Sequence, residues 1–182
     1  IREDIKRAVL SMGYDYRLFD MISIRVNGGL DGTSWGGGGG IWMGNDSFGT
    51  LNHEVGHSLG LSHAYAWDTR YLTRDGSGYG TGRRVEYGNV FDVMGSLNLA
   101  NNYNSLSKRS LNWIPADFVH SATTKGIYRI FDYNQSTLEA GKRYALSVGK
   151  DNVRGYHLEY IAGRKDGYAN SAIVLGLSLI HI

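Results

Sequence analysis

The amino-acid sequence predicts an α+β fold, and three observations carry the prediction. Residues 3–12 place Ile5, Ala8, Val9 and Met12 at i, i+3, i+4 and i+7, the spacing of an amphipathic helix. Residues 19–26 (FDMISIRV) alternate Ile22, Ile24 and Val26, the period of a half-buried strand. Beyond about residue 120 the chain changes to short strand-like runs separated by turn-rich pieces.

The elements follow in order. After the first helix and strand, a glycine-dense stretch from Asn27 to Gly40 includes five consecutive glycines at 36–40 and reads as a flexible loop. IWMGN (41–45) reads as a short strand. A capped segment near Asp46–Thr50 leads into a helix that carries HEVGH. From Tyr65 to Phe91 no period emerges, so loops are expected. Asn102–Trp113 reads as a helix with Tyr103, Leu106, Ser110 and Trp113 on one side, stopped by Pro115. GIYRIFDYN (126–134), RYALSVG (143–149), YHLEYIAG (156–163) and AIVLG (172–176) are the strand-like runs.

This pattern places a boundary near 120–125, with one domain over 1–120 and a β-rich segment over 121–176. Residues 177–182 read LSLIHI, similar to an in-frame translation of a sequencing-library adapter. They are therefore set aside as an adapter-derived tail that truncates the β segment. The chain begins at Ile1 rather than Met, so the first domain is read as incomplete at its N-terminus.

Composition narrows the function classes. The net charge of +2 gives no electrostatic case for nucleic acid or an anionic membrane. No apolar run is long enough to span a bilayer. With no cysteine in the chain, a metal must rely on His, Asp and Glu. Oligomeric state is not legible.

The chemistry concentrates in HEVGHSLGLSH, residues 53–63. On a helix, His53 and His57 are turned about 40° from each other and lie about 6 Å apart along the axis, so both imidazoles project from one face. Gly60 can take the left-handed conformation that ends a helix and redirects the chain. That redirection can return His63 as a third ligand. Three neutral histidines leave one position open for water, the arrangement of a single catalytic zinc. Glu54, rotated about 100° from His53, can reach that water without being a ligand and act as general base. About thirty residues on, FDVMGS (91–96) sets Met94 in a tight turn, where it would give the histidine rings a soft, adaptable floor.

The extended histidine motif followed by a methionine turn resembles the metzincin peptidases. HAYAWD (63–68), EYGNVFDVMGS (86–96) and NNYNSLSKRSLNWI (101–114) are similar to gametolysin-like members of that clan and their bacterial relatives. The resemblance covers roughly residues 1–120. It implies a mixed twisted sheet, an active-site helix and an irregular lower subdomain with the methionine turn, followed by the truncated all-β segment. It implies a secreted or cell-surface zinc endopeptidase acting on a protein or peptide, with His53, His57 and His63 as ligands and Glu54 as base. It also implies a substrate strand laid against a sheet edge, for which 41–45 is the candidate.

The chain departs from the pattern at Ser96, where some metzincins carry an oxyanion-assisting tyrosine. Tyr79, Tyr87 and Tyr103 are the alternatives. Asp68, Asp75 and Asp92 are candidate calcium ligands, though solvated loop acids are the default reading. The competing class is a catalytically inactive metzincin-fold binding or adhesion module, which the retention of Glu54 and all three histidines argues against.

Overall fold

The computed structural model describes residues 2–26, 34–70, 81–96, 102–152, 154–162 and 171–178. They divide into two compact units, Ile1–Ala64 and Tyr65–Ile182.

The first unit is built on three strands, β1 (Ile22–Arg25), β2 (Trp35–Gly37) and β3 (Gly40–Met43), in the order β1-β3-β2. β1 runs parallel to β3 with Ile24 opposite Trp42, and β2 runs antiparallel to β3 with Trp35 opposite Trp42. Ile41, Trp42 and Met43 are buried, which puts β3 at the centre of the sheet. This corrects the expectation that 41–45 forms the exposed edge: among the described residues, β3 is central and β1 and β2 are the edges of this sheet.

The reason lies in the glycine run, which is a hairpin rather than a flexible loop. Gly37 pairs with Gly40, and Gly38 and Gly39 form the connection with φ of 55° and 78°. A two-residue hairpin turn with both φ positive matches the twist of its strands and suits glycine. The Gly39 carbonyl then accepts the Ile22 amide at 2.9 Å, tying the turn to β1. Residues 27–33 of the expected loop lie outside the described residues.

Helix α1 (Arg2–Ser11) and helix α2 (Phe48–Ser58) complete the unit. Side chains alternate across a strand, so Gly36 faces α2 while Trp42, Ile22 and Ile24 face the other way. There Ile5 and Val9 of α1 line a cleft of about 260 Å³ with Ile22, Ile24 and Trp42.

In the second unit, β4 (Ala66–Asp68) and β5 (Arg83–Val85) pair antiparallel inside a region expected to be loop. Short, polar, three-residue strands carry no period long enough to detect. Helix α3 is shorter than expected, Ser105–Ser110, because the Asn104 side chain caps it by accepting the Ser107 amide at 2.7 Å.

Strands β6 (Val119–Ala122), β7 (Ala145–Gly149), β8 (Arg154–Ile161) and β9 (Ser171–Ser178) form a sheet in chain order. β6 and β7 are parallel and the other pairs antiparallel. Leu177 and Ser178, set aside above as tail, pair with Gly155 and Arg154 in this sheet; residues 179–182 lie outside the described residues. The expected strand at 126–134 does not form. Ile127 is fully exposed, and only a bridge from Asp132 to Tyr160 joins this segment to the sheet. Its Tyr133 instead plugs the core with Ile114, Tyr144 and Ile161. That core takes Ile114, Phe91 and Phe118 from before the boundary expected at 120–125 and Tyr133, Tyr144 and Ile161 from after it. The compact units part instead between Ala64 and Tyr65. Among the described residues no helix is long and apolar enough to cross a membrane.

Candidate metal centre

The site is built by α2 and the turn that ends it. Ser47 starts the helix, its side chain accepting the Thr50 amide at 3.2 Å, a cap that satisfies one of the helix's unpaired N–H groups. At the far end the Leu61 amide bonds the Gly56 carbonyl at 2.9 Å and the Gly60 amide bonds the His57 carbonyl at 3.0 Å. This is the Schellman pattern, and Gly60 has the φ of 91° that it requires. The chain reverses there, and His63 comes back toward the helix.

The result is convergence. One ring nitrogen from each of His53, His57 and His63 lies within 4.8 Å of the others, and His57 Nε2 is 3.0 Å from His63 Nε2. A single zinc at about 2.0–2.1 Å from each nitrogen would hold its ligands roughly 3.4 Å apart, between those two values. The reversed chain also sets the chemistry of one ligand. His57 Nδ1 sits 2.9 Å from the Leu61 carbonyl oxygen. A carbonyl can only accept, so Nδ1 carries the proton and Nε2 of the neutral ring presents its lone pair to the centre. The donor set therefore fits a zinc ion. Among the described residues it is the one cluster of three or more His, Cys, Asp or Glu side chains close enough to share a metal.

Glu54 is 5 % exposed, beside His53 at 4 %. Burial pushes its carboxyl pKa above the usual range, against the opposing pull of His57, of the Gly36 amide and of His63. Its Oε2 is buried with no hydrogen-bond partner among the described residues. An acceptor left open in a low-dielectric site is costly as structure and useful as a base.

The other expected residues lie in the second unit. Met94 is fully buried in a turn closed by the Gly95 amide on the Asp92 carbonyl at 2.9 Å. Asp92 organises that turn. Its carboxylate accepts the Met94 amide at 2.8 Å, the Asn104 amide at 3.2 Å and the Ser107 hydroxyl at 3.5 Å. Burial holds its pKa up. These bonds occupy Asp92, and Arg70 holds the Asp68 carboxylate at 2.7 Å with its pKa lowered to about 2; neither is arranged as a calcium ligand. Asp75 and Tyr79 lie outside the described residues. Tyr103 is buried edge-on to Trp113, and burial pushes its hydroxyl up to about 12. Tyr87 is half exposed with a positive φ of 59°.

Two backbone contributors escaped the sequence reading, the Leu61 carbonyl and the Gly36 amide. Backbone groups leave no signature beyond the glycines that let the chain approach, and here the run at 36–40 was that signal.

Comparison with known families agrees with the geometry. Residues 13–85 match the family model for Peptidase M66, and the matched stretch contains all three histidines, Glu54 and Gly36. The match is to a peptidase family and covers less than half of the chain. No curated protein and no solved structure matches the chain.

Proposed function

We propose that the chain is a zinc-dependent endopeptidase in which His53, His57 and His63 hold one metal ion and Glu54 is the general base. The observation that carries this reading is the convergence of three imidazole nitrogens beside a buried carboxylate with one open oxygen. A zinc ion held there would supply Lewis acidity, making water nucleophilic at neutral pH and polarising the scissile carbonyl. The chain's own part is then proton handling. Glu54 takes a proton from the attacking water at Oε2, and the same oxygen delivers it to the leaving amine. Burial suits it to both halves of that cycle, because it lowers the cost of holding the proton between them.

The substrate on this reading is a protein or peptide laid in extended form along β2, one of the two edge strands of the first unit's sheet among the described residues, by β-augmentation. Met94 serves as the turn methionine, and the enzyme acts outside the cell or at its surface, as the resemblance to secreted peptidases implies. The test is hydrolysis of a casein-type substrate by the zinc-loaded chain. Hydrolysis that stops with chelator and with Glu54→Ala is expected. A chain with stoichiometric zinc that cleaves nothing in a broad peptide library would return the reading to an inactive binding module.

A further inference from the structure

Two carboxyl side chains from different elements meet the start of α3. The amide of its capping residue, Asn104, donates to Asp92 Oδ2 at 3.2 Å, and the amide of the next residue, Ser105, donates to Glu159 Oε2 on β8 at 2.6 Å. A helix leaves its first amides without an internal acceptor, so the two acids complete the helix start. Asp92, Ser105 and Glu159 are all fully buried. β8 adds a second hold, the His157 ring 2.9 Å from the Ser105 hydroxyl. At the other end of the path, Asp92 Oδ1 accepts the Met94 amide at 2.8 Å, and the Asn102 carbonyl accepts the Val93 amide at 3.0 Å. Three hydrogen bonds and a single step along the chain therefore lead from β8 to the methionine turn, all within the second unit.

Glu159 is a costly side chain for that position. Its carboxyl is stripped of water, and Oε1 has no hydrogen-bond partner among the described residues. An apolar side chain would fill the sheet's inner face without that cost, but it could not accept the Ser105 amide and fix where α3 begins against β8. We propose that Glu159 is a positioning residue for the methionine turn: through the Ser105 and Asn104 amides and the Asp92 carboxylate, β8 sets where the Met94 backbone stands. The β-rich segment is then part of the scaffold of the site rather than an appended module. The kinetic consequence rests on the peptidase reading above, in which Met94 is the turn methionine; the structural path does not.

The experiment has two readouts. The first needs no activity. The chain has four methionines, and Met12, Met21 and Met43 lie in the first unit, so ¹³C-labelled methionine methyls report on Met94 with three internal controls. Glu159→Ala is expected to shift and broaden the Met94 methyl and leave the other three in place. Glu159→Gln keeps an accepting oxygen for the Ser105 amide and should restore the wild-type signal. Leu158→Ala, on the opposite face of the same strand, should lower stability without moving that methyl. An unmoved Met94 methyl in folded Glu159→Ala, or an equal movement in Leu158→Ala, overturns the proposal. Where Glu159→Ala does not fold, hydrogen exchange of the wild-type chain decides. The Met94, Asn104 and Ser105 amides should open as one cooperative unit with a common denaturant dependence, and separate dependences overturn the proposal. The second readout is kinetic. Glu159→Ala is expected to lower kcat by up to about 100-fold, the scale of a small misplacement made far from the chemistry, with KM nearly unchanged and Glu159→Gln close to wild type. Full kcat in Glu159→Ala overturns the positioning role. If the wild-type chain hydrolyses nothing, the peptidase reading falls, while the methyl and exchange measurements still decide whether β8 holds the turn at Met94.

Discussion

His57 Nδ1 donates to the carbonyl oxygen of Leu61, four residues further along the chain and past the end of the helix, at 2.9 Å. The same reversal that returns His63 to the centre thus fixes the tautomer of His57. Ligand position and ligand protonation depend on one turn, and that turn depends on Gly60 at φ 91°.

Gly60→Ala should therefore cost more than stability. No atom lies within 4 Å of a Cβ built there, so the penalty is backbone strain, about 1–2 kcal/mol for an L-residue in the left-handed region. Relief of that strain would shift the Leu61 carbonyl, and loss of such a partner to a ligand costs about 10- to 100-fold in metal affinity. Gly60→Asn should retain most of both. Chemical denaturation and competition with a zinc chelator measure the two effects. Unchanged zinc affinity in Gly60→Ala would separate the turn from the ligand set.

Removing the metal should destabilise the first unit. A ligand at 100 times its dissociation constant stabilises by about 2.7 kcal/mol, so zinc added to the chelated chain should raise its melting temperature. His63→Ala should abolish the rise while the chain remains folded. Thermal melts with and without zinc test this, and a rise that survives in His63→Ala would place the ion elsewhere.

Asp92→Asn should destabilise the second unit by about 1–3 kcal/mol, the cost of leaving a buried group unsatisfied. The carboxylate accepts two amides and a hydroxyl. An asparagine side chain offers one accepting atom and turns its NH₂ toward a donor. Denaturant melts compare the variant with wild type, and equal midpoints would mean the turn at Met94 is held by its backbone alone.

His157 and Glu159 should give opposing pH dependences that mask each other. Burial lowers His157 to about 4 and raises Glu159 to about 7. Nearby Asp92 pushes Glu159 further up, and Lys108 and the bonds from Ser105 pull it down. A depressed histidine is neutral when folded, so its contribution is present above about pH 6.5 and lost as pH falls through 4. A raised carboxyl is protonated when folded, so its contribution is present below its unfolded pKa near 4.5 and lost as pH rises through 7. Each is on the order of 3 kcal/mol, with opposite signs across pH 4.5–6.5. The wild-type stability curve should therefore be nearly flat there. Glu159→Gln should make it rise with pH and His157→Asn should make it fall. Urea midpoints from pH 4 to 7.5 read this directly, and parallel curves in both variants would refute it.

The site was more legible than the fold around it. His53, Glu54, His57, Gly60 and His63 are close in sequence, and helix geometry plus one left-handed glycine suffices to predict their convergence. Long-range pairing is different. Nothing local says that Gly36 must touch Glu54, or that 36–40 is a hairpin that moves 41–45 from edge to centre. β8 shows the limit most clearly. Its buried positions include His157 and Glu159, while Leu158 is half-buried. A hydropathy pattern points the opposite face inward. The pattern is overridden because Ser105 meets those polar groups, its amide on Glu159 at 2.6 Å and its hydroxyl on the His157 ring at 2.9 Å. A periodicity over one segment cannot contain a partner more than fifty residues away.

The tight spacing of the donors also bears on the order in which the chain gains structure. His53 to His63 encloses a loop of about ten residues, which closes in roughly 10–100 ns at little entropic cost. The pairing of β8 with Ser105 must instead wait for a distant encounter, as non-local contacts do in slow-folding topologies. A metal ion captured by the early turn would bias the nascent helix before the sheet of the second unit assembles. Refolding in the presence of zinc would then begin from a chain already committed at α2.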